Sequence, residues 1–465
     1  MNRSSRVRRV VTRKGLTQPT SSTGDENTTG SRKEISRRQF LAGAAAAAGA
    51  LSLGCVDGID RLVGPFEGAL TEATISPEAS GIDHIVFVMM ENRSFDHFLG
   101  WLPNANGRQA GLTYRDRAGV PHSTHRLAPD FQGCGFADPD HSYAGGRIEF
   151  NGGKCNGWLK AGQNDVYAIG YYQGADLPFL GQAAPGWSSC DRYFSAIMAE
   201  TFPNRLCQHA GQTDRLESSA RISTLPTIWD RLSARGLKGR YYYSDLPFLA
   251  LWGSKYLSIS RLFPQFLLDC LFGTLPHVAF VDPRFSGEGT GTTNDDHPYG
   301  DIRAGESFLN DVYRAVTTSP AWPRTVLVLS FDEWGGFFDH VAPPPAPIPP
   351  AERSAGNLDG LRGFRVPTVV ISPFARRQYV SHVLYDSSSV LRMIEWRWGL
   401  QPLTVRDASA NNLAGLLDFT HRNNQAPRYA VPRLSSGSPC PATAVAVRPK
   451  WAPLRDMAQR SGWQG

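Results

Sequence analysis

The chain has 465 residues, of which 41% are hydrophobic and 19% are charged, a composition typical of a globular protein with a large core and unlike that of disordered chains. The formal net charge is +6, but residues 1–54 hold ten Lys and Arg against three Asp and Glu, which leaves 38 basic and 39 acidic residues in the remainder. Because this remainder is close to neutral, it lacks the basic surface that nucleic-acid binding needs, and no nucleic-acid partner is predicted.

The N-terminal segment has the pattern of an export signal. Arg37 and Arg38 stand just before the uncharged, Ala-rich run 40–53. This pattern resembles a twin-arginine signal, and its apolar stretch is too short to span a bilayer. We therefore predict a signal over residues 1–54, the twin-arginine export machinery as a partner, and a mature protein in the periplasm, in the cell envelope or secreted. The alternative for residues 40–53 is a buried core helix.

The residues after the signal are predicted to form a linker over 55–80. Cys55 follows Leu-Ser-Leu-Gly, a loose likeness to a lipoprotein cleavage site, which leaves a lipid anchor at Cys55 open. Without Cys55 the cysteines are even in number, which is compatible with up to three disulfides in an oxidising compartment or with buried free thiols. The absence of CxxC spacing argues against a zinc–thiolate site. The six are Cys134, Cys155, Cys190, Cys207, Cys270 and Cys440.

Residues 81–465 are predicted to form one α/β domain. Apolar runs rich in β-branched residues indicate buried strands, and the long segments between them predict helical crossovers. We therefore expect a mostly parallel central sheet with helices on both of its faces. The strand runs are 83–90, 278–281, 325–331 and 366–371; the predicted helices are 227–235, 302–317 and 387–398. The Pro-rich segment 342–350 is predicted to be a surface loop.

The segment 241–275 is unusually rich in aromatic and aliphatic residues. It is compatible with a helical and aromatic cap that covers a site and holds acyl chains. It is equally compatible with ordinary core.

Polar residues follow two of the predicted strands. Glu91 and Asn92 come directly after the first strand, and Asp332 and Glu333 come directly after the third. Because ligands bind beyond the carboxyl ends of the strands in open α/β sheets, these two pairs can meet at one edge. Carboxylate and amide oxygens suit one divalent cation, whose identity these ligand types do not determine. The alternative is that the carboxylates cap helices or are solvated.

The first acidic pair opens a recognisable motif. Residues 91–100 read ENRSFDHFLG, which resembles the opening motif of the bacterial phosphoesterase family that contains non-specific phospholipases C and acid phosphatases. Further blocks similar to those of the family follow in the expected order, so the resemblance extends from about residue 82 to about residue 420. These blocks are 138–141, 151–154, 201–205, 295–298, 332–344, 366–375 and 385–396.

The resemblance implies an alkaline-phosphatase-like fold in which a metal-bound hydroxyl attacks phosphorus. Glu91 and Asn92 match the family's first pair of metal ligands, Asp332 and Glu333 match the second, and Thr201 matches the nucleophile, which is also a ligand. A threonine hydroxyl needs such activation at neutral pH. The sequence after Thr201 also fits a helix start with free N–H groups near a phosphate, although a threonine there is also a common N-cap.

The resemblance also implies roles for residues around the phosphoryl group. His141 and His297 match positions that contact it, where one can protonate the leaving oxygen and the other can stabilise charge. His340, in the loop after the second acidic pair, is a further catalytic candidate. Residues expected to orient the site or contact phosphate are Arg93, Asn204, Arg205 and Lys154, the last of which is equally well explained as a solvated lysine.

Three functions remain open from the sequence. The first is an exported, metal-dependent phospholipase C that hydrolyses phosphatidylcholine-like phosphodiesters through Thr201, with peripheral membrane contact left open. The second is a broad-range acid phosphatase that uses the same site on small phosphate esters. The third is a non-catalytic exported phosphate-binding protein, which would not need a hydroxyl nucleophile. Sulfatases of the wider superfamily share the Pro and Arg spacing of residues 201–205 but require Cys or Ser in place of Thr201.

Overall fold

The structure is a computed structural model that describes residues 75–441 and 450–463. The predicted signal, Cys55 and most of the predicted linker lie outside these residues. The end of the predicted linker is a helical turn, Pro77–Ser80, whose first N–H groups are capped by the Ser76 side chain. Within the described ranges, no helix is both long and apolar enough to cross a membrane.

The described chain contains both helices and strands. The α-helices are α1 (Phe95–Leu99), α2 (Tyr143–Phe150), α3 (Leu180–Gly186), α4 (Thr201–Ala210), α5 (Ile228–Ala234), α6 (Phe263–Leu271), α7 (Ile302–Thr317), α8 (Pro350–Ser354), α9 (Ser387–Trp398), α10 (Val405–Ser409) and α11 (Trp451–Arg460). The strands are β1 (His84–Met90), β2 (Thr113–Arg115), β3 (Pro121–Ser123), β4 (His125–Arg126), β5 (Gly170–Tyr171), β6 (Ser188–Cys190), β7 (Tyr193–Phe194), β8 (Gly239–Tyr243), β9 (Ser260–Leu262), β10 (Val278–Asp282), β11 (Thr325–Phe331), β12 (Val369–Ile371), β13 (Tyr379–Ser381) and β14 (Tyr385–Asp386).

The main sheet has eight strands in the order β13-β6-β12-β11-β1-β10-β8-β9. β12 pairs antiparallel with both of its neighbours, and the other pairs are parallel. The three central strands β11, β1 and β10 are buried along nearly their whole length. A strand that is buried on both faces needs cover on both faces, which the helices between the strands supply. The predicted α/β class with a mostly parallel sheet is confirmed.

The register of the central strands creates the site. Met90 at the end of β1 pairs with Phe331 at the end of β11, so the two strands finish at the same level of the sheet. Glu91 and Asp332 are the next residues of each strand and therefore leave the sheet side by side. On the other flank of β1, the parallel strand β10 ends at Asp282.

The aromatic segment 241–275, expected either as a cap or as core, lies partly in the core, whereas Leu271 and Phe272 in its second half are exposed. It contributes the end of β8, all of β9 and the helix α6, and β8 and β9 form one end of the main sheet. Tyr241, Tyr242 and Tyr243 are buried in β8, as aromatic residues on a strand usually are. The place of β8 in the sheet explains the apolar composition of that strand, and for the exposed apolar residues of α6 the cap stays a prediction.

One disulfide joins distant parts of the described chain. Cys134 is bonded to Cys440, 306 residues away, and the Cys440 N–H donates to the Thr290 carbonyl at 2.8 Å. The other cysteines in the described ranges, Cys155, Cys190, Cys207 and Cys270, are free and buried. Both expectations for the cysteines thus hold in part, and the disulfide fixes the C-terminal segment to the body of the domain.

A buried ion pair supports the loop that leads into α4. Arg406 of α10 binds Glu352 of α8 through two N–O contacts of 2.7 Å. Its third nitrogen donates to the Ala196 carbonyl at 2.8 Å. Both side chains are almost completely buried, so removing one of them leaves a buried, unpaired charge.

We expect Arg406→Met to lower the free energy of unfolding by about 3–5 kcal/mol, because Glu352 would remain buried without its partner. The control is Arg324→Met, which breaks a pair with Asp83 in which both side chains are well exposed; it should cost about 1 kcal/mol or less. Urea unfolding of both variants measures the difference. Equal losses would show that the Arg406 pair does not support the fold.

Candidate functional site

The two pairs of predicted ligands, residues 91–92 and 332–333, are held together by hydrogen bonds from their own backbone N–H groups. The Asn92 N–H donates to Asp332 Oδ1 at 3.1 Å, and the Glu333 N–H donates to the same oxygen at 2.7 Å. Asn92 adopts a left-handed backbone with φ of 59°, which is uncommon outside glycine and typical of residues at functional sites. The structure therefore brings the four predicted ligands together as the resemblance implies.

Gly335 is required for this arrangement. Its φ is 63°, and a Cβ atom there would lie 2.1 Å from the Asn92 carbonyl oxygen. Its N–H donates to Glu333 Oε2 at 2.7 Å. Only glycine combines this conformation with so close an approach to another backbone, so Gly335 lets the turn after β11 pack against the turn after β1.

Helix α4 begins at Thr201, which is completely buried. Glu200 is the N-cap residue, so the alternative of Thr201 as the N-cap does not hold. Asn204 fixes the approach to the helix, because its amide donates to the carbonyls of Ala199 and Ile197 at 2.7 and 3.1 Å. Asn204 thus positions Thr201 through the backbone.

Arg205, one helical turn after Thr201, links the ends of three strands. Its guanidinium lies 3.3 Å from Asp332 Oδ2 and 3.0 Å from Asp282 Oδ1. It also donates to the carbonyls of Met89 and Met90 in β1. Because residues four apart share a face of a helix, these contacts hold Thr201 over the same edge of the sheet.

The two predicted histidines differ in charge state. His141 Nδ1 lies 2.8 Å from the Pro139 carbonyl, and Nε2 lies 3.2 Å from the Asn92 amide nitrogen. Burial lowers the pKa of His141, but Glu333 and Asp138 outweigh burial and raise the pKa to about 9. Burial and the charge of Lys450 instead hold the pKa of His297 well below its ordinary value. Neighbouring groups whose pKa values are pushed apart are typical of acid–base sites.

Arg93 holds the turn that carries His297. Its side chain donates to the Asp296 carbonyl at 2.6 Å and to the His297 carbonyl at 3.2 Å. Arg93 is fully buried and thus orients this turn, as expected for a residue that supports the site.

Two predicted residues are not brought to this group. The His340 ring contacts Asp96 Oδ2 at 2.5 Å and Asn106 Oδ1 at 3.1 Å, beside the buried Arg365. The structure thus places His340 with a separate ion-pair cluster. Lys154 is exposed on the turn after α2, which agrees with its alternative as a solvated lysine.

The sequence did not indicate three further residues of the site. Lys450 Nζ lies 2.9 Å from Thr201 Oγ1, 3.3 Å from Glu91 Oε2 and 3.0 Å from Glu288 Oε1. Asp295 forms a buried carboxylate cluster with Glu91 and Glu288. Asp295 belongs to the block 295–298, where its position beside His297 was an available signal. No local pattern marks Lys450 or Glu288.

Several oxygen atoms of the predicted ligands accept no hydrogen bond from the described residues. They are buried, and they belong to three of the four strand-end residues: Glu91 Oε1, Asn92 Oδ1 and Glu333 Oε1. Buried oxygens left without donors are costly, and a divalent cation satisfies oxygens of this type. The donor set therefore fits a divalent cation.

The pKa values of the carboxylates also indicate a site that suits a divalent cation. Burial raises the pKa of Glu333 to about 8, against the opposing effect of His141. Burial, opposed by Arg205 and reinforced by Glu91, raises that of Asp332 to about 6. Burial and Glu91 raise the pKa of Asp295 to about 7. More negative charge is concentrated here than Arg205 and Lys450 neutralise, so a further cation would stabilise the cluster.

Comparison with known proteins identifies the family. The sequence profile described as "Phosphoesterase family" matches residues 82–401. The chain belongs to the phosphoesterase family. A twin-arginine translocation signal matches residues 34–54, which confirms the export signal and implies the twin-arginine machinery as a partner. The chain is therefore an exported phosphoesterase.

Curated relatives carry phospholipase names. The chain is 31% identical to phospholipase C B of Mycobacterium tuberculosis, over 86% of this chain and 89% of that protein. It is 29% identical to non-specific phospholipase C1 of Arabidopsis thaliana, over 81% of this chain and 76% of that protein. The chain is thus a phosphoric ester hydrolase, and the hypothesis of a non-catalytic phosphate-binding protein is set aside.

Solved structures align only weakly. A protein of the alkaline phosphatase superfamily from Vibrio parahaemolyticus matches 74% of this chain and 72% of that chain, with 9% identity and a TM-score of 0.36. An alignment at this level carries no argument, so the fold rests on the sheet described above.

We expect Gly335→Ala to destabilise the protein more than Gly111→Ala does. Both glycines have a positive φ, but a Cβ on Gly111 meets nothing within 4 Å. The conformational cost of about 1–2 kcal/mol is common to both variants, and the collision with Asn92 should add about 1–3 kcal/mol. The free energy of unfolding in urea measures the difference. Equal values would contradict the role of Gly335 in holding the Asn92 turn.

Proposed function

We propose that this protein is a phospholipase C that hydrolyses phosphatidylcholine-like phosphodiesters through a phosphothreonine at Thr201. One observation carries the proposal: a buried threonine hydroxyl lies at the N-terminus of α4 and shares the Lys450 ammonium with Glu91, the carboxylate that follows β1. A hydroxyl in that position is surrounded by charged groups that can activate it. The free N–H groups expected at the helix start are not there for a phosphate, because the Phe202 N–H donates to Ser218 Oγ at 3.2 Å and Pro203 has no N–H.

The reaction proceeds in two steps. In the first, the Thr201 O–H bond breaks, the Oγ–P bond forms and the P–O bond to diacylglycerol breaks. The proton from Oγ ends on the departing oxygen. In the second, a water oxygen bonds to phosphorus, the Oγ–P bond breaks, and a proton from that water returns to Oγ. The product is phosphocholine, and the enzyme is restored.

His141 is the group that we assign to protonate the leaving oxygen. Its Nδ1 is held by the Pro139 carbonyl, which leaves Nε2 facing the ligand cluster with Asn92 as its neighbour. A histidine fixed at one nitrogen transfers protons at the other. His297 faces Glu288 and Asp138 at 3.6 and 3.7 Å, and we assign it to binding phosphoryl oxygens.

A divalent cation is part of the proposal. Glu91, Asn92, Asp332, Glu333 and Thr201 would hold it. Such an ion would supply stabilisation of the negative charge that develops on oxygen atoms during phosphoryl transfer.

The phospholipase names of the relatives support a diester substrate. The acid phosphatase remains the alternative outcome of the test below.

We expect Thr201→Ala to lower the release of phosphocholine from phosphatidylcholine by at least about 10³-fold, because the variant has no atom to accept the phosphoryl group. Thr201→Ser should retain measurable turnover. Phosphorus NMR of the products identifies what is released, and mass spectrometry of acid-quenched enzyme detects the phosphothreonine.

The matched control is Thr325→Ala, which makes the same change at a buried threonine at the start of β11 and should keep its activity. Full activity of Thr201→Ala would overturn the assignment of the nucleophile. If the wild-type protein hydrolyses only soluble phosphomonoesters, the acid phosphatase replaces the phospholipase.

We expect Glu333→Gln to weaken the binding of a divalent cation at least tenfold, or by about 1.4 kcal/mol, because the ligand loses its charge, and its Oε1 accepts no hydrogen bond from the described residues. Calorimetric titration of chelator-treated protein with Mg²⁺, Ca²⁺, Mn²⁺ and Zn²⁺ measures the affinity. Glu306→Gln, at a buried carboxylate that accepts two backbone N–H groups away from the cluster, should bind as the wild type does. Binding of none of these ions, or equal affinities, would refute the proposed ligand set.

A further inference from the structure

The C-terminal segment returns to the site and delivers Lys450. This residue stands just before α11 and outside the residues 82–401 that match the family. Its ammonium contacts three oxygen atoms, which belong to Thr201, Glu91 and Glu288. Two of these contacts are hydrogen bonds that the ammonium donates, to Thr201 Oγ1 and Glu91 Oε2, and the contact with Glu288 Oε1 is an ion pair.

Neighbouring contacts hold Lys450 in this position. The Trp451 indole N–H donates to Glu288 Oε1 at 2.9 Å. The Trp451 ring stacks on Phe285 with a centroid distance of 4.1 Å, and it packs on Phe202, the residue after Thr201, at 5.1 Å. These contacts join the start of α11 to the start of α4 through aromatic packing, which is stronger than area burial alone would indicate.

The far end of the C-terminal segment is also anchored. The Trp463 indole donates to the Gly253 carbonyl at 2.8 Å, and Leu454 is fully buried along α11. On the other side, the Cys134–Cys440 disulfide fixes the chain before residue 442. The position of Lys450 is therefore fixed by the packing of the segment around it, and Lys450 is not a freely moving side chain on the surface.

Lys450 leaves part of the proposed cation site free. The ammonium contacts Oε2 of Glu91, whereas the oxygens that lack a hydrogen bond are Glu91 Oε1, Asn92 Oδ1 and Glu333 Oε1. The lysine therefore leaves these three oxygens available. Thr201 Oγ1 accepts a hydrogen bond from the lysine and is also a proposed cation ligand.

We propose that Lys450 is a catalytic residue whose ammonium stabilises negative charge on the Thr201 oxygen. The inference rests on the proposed function of Thr201. The charge develops twice: when Oγ loses its proton and bonds to phosphorus, and when the Oγ–P bond of the phosphothreonine breaks. The ammonium keeps its three protons in both steps and donates a hydrogen bond to Oγ. Donors positioned before the reaction in this way need no reorganisation during it.

The test compares Lys450→Met with the wild-type mature chain. Loss of one such donor is expected to lower kcat on phosphatidylcholine by about 10²-fold, with KM changed much less, because the contact is to the nucleophile and not to bound lipid. Lys450→Gln is a second variant in case the first does not fold, and it should lose at least tenfold in kcat. Lys450→Arg, which keeps the charge, should recover part of the loss. Thermal melting confirms that each variant is folded.

Two measurements do not depend on turnover. Calorimetry with inorganic vanadate, which binds a nucleophilic hydroxyl as a phosphoryl analogue, should show affinity reduced at least tenfold in Lys450→Met. Titration with divalent cations should show affinity equal to that of the wild type or up to about tenfold higher, because the variant lacks a positive charge beside Glu91 and Thr201, two of the proposed cation ligands. The matched control is Lys255→Met, at a lysine paired with Asp230 on the surface, which should match the wild type in every assay.

Each other result overturns the inference. If Lys450→Met has the kcat of the wild type, Lys450 has no role in catalysis. If the variant has a higher kcat or binds cations much more tightly, the lysine blocks the site and competes with substrate or metal. If the wild-type chain releases no phosphorus product, the proposed function fails and the inference falls with it. If wild type and Thr201→Ala behave as expected while Lys450→Met keeps full kcat, only the inference fails.

Discussion

The buried guanidinium of Arg205 is the contact on which the geometry of the site depends. It joins Asp282 at the end of β10, Asp332 at the end of β11 and the last carbonyls of β1. Removing these charges from water is expensive unless each is paired and hydrogen-bonded, and here each is. Because Arg205 lies one turn after Thr201, the contacts that satisfy its charge also place the threonine hydroxyl over the strand ends.

The same edge of the sheet concentrates negative charge beyond what this arginine balances. Burial raises the pKa of Asp332 to about 6 and that of Glu333 to about 8, although Arg205 and His141, respectively, oppose the shift. Lys450, which reaches the cluster from the C-terminal segment, neutralises part of this excess negative charge. A site with this charge balance favours further positive charge.

Much of the secondary structure could be predicted from local patterns. The apolar run 325–331 and the amphipathic run 302–317 correspond to β11 and α7 with the same bounds, because period and burial are local properties of the sequence. For the segment 241–275 the sequence left both a cap and ordinary core open, since composition shows that residues are apolar but not which element they pack against. The strand β12, within the predicted run 366–371, pairs antiparallel with its neighbours, a choice that depends on its neighbours and not on its own residues.

The sequence by itself determined the export signal, the α/β class and the two pairs of candidate ligands. Each of these is a pattern of consecutive residues, and the candidate ligands directly follow the predicted strands. Only the tertiary structure decided the rest. The disulfide joins residues 306 apart, and the contact of Lys450 with Thr201 spans 249 residues. Contacts over such distances depend on how the whole chain packs, so no local pattern indicates them. For the same reason His340, adjacent to a site motif in sequence, lies instead with Asp96 and Arg365.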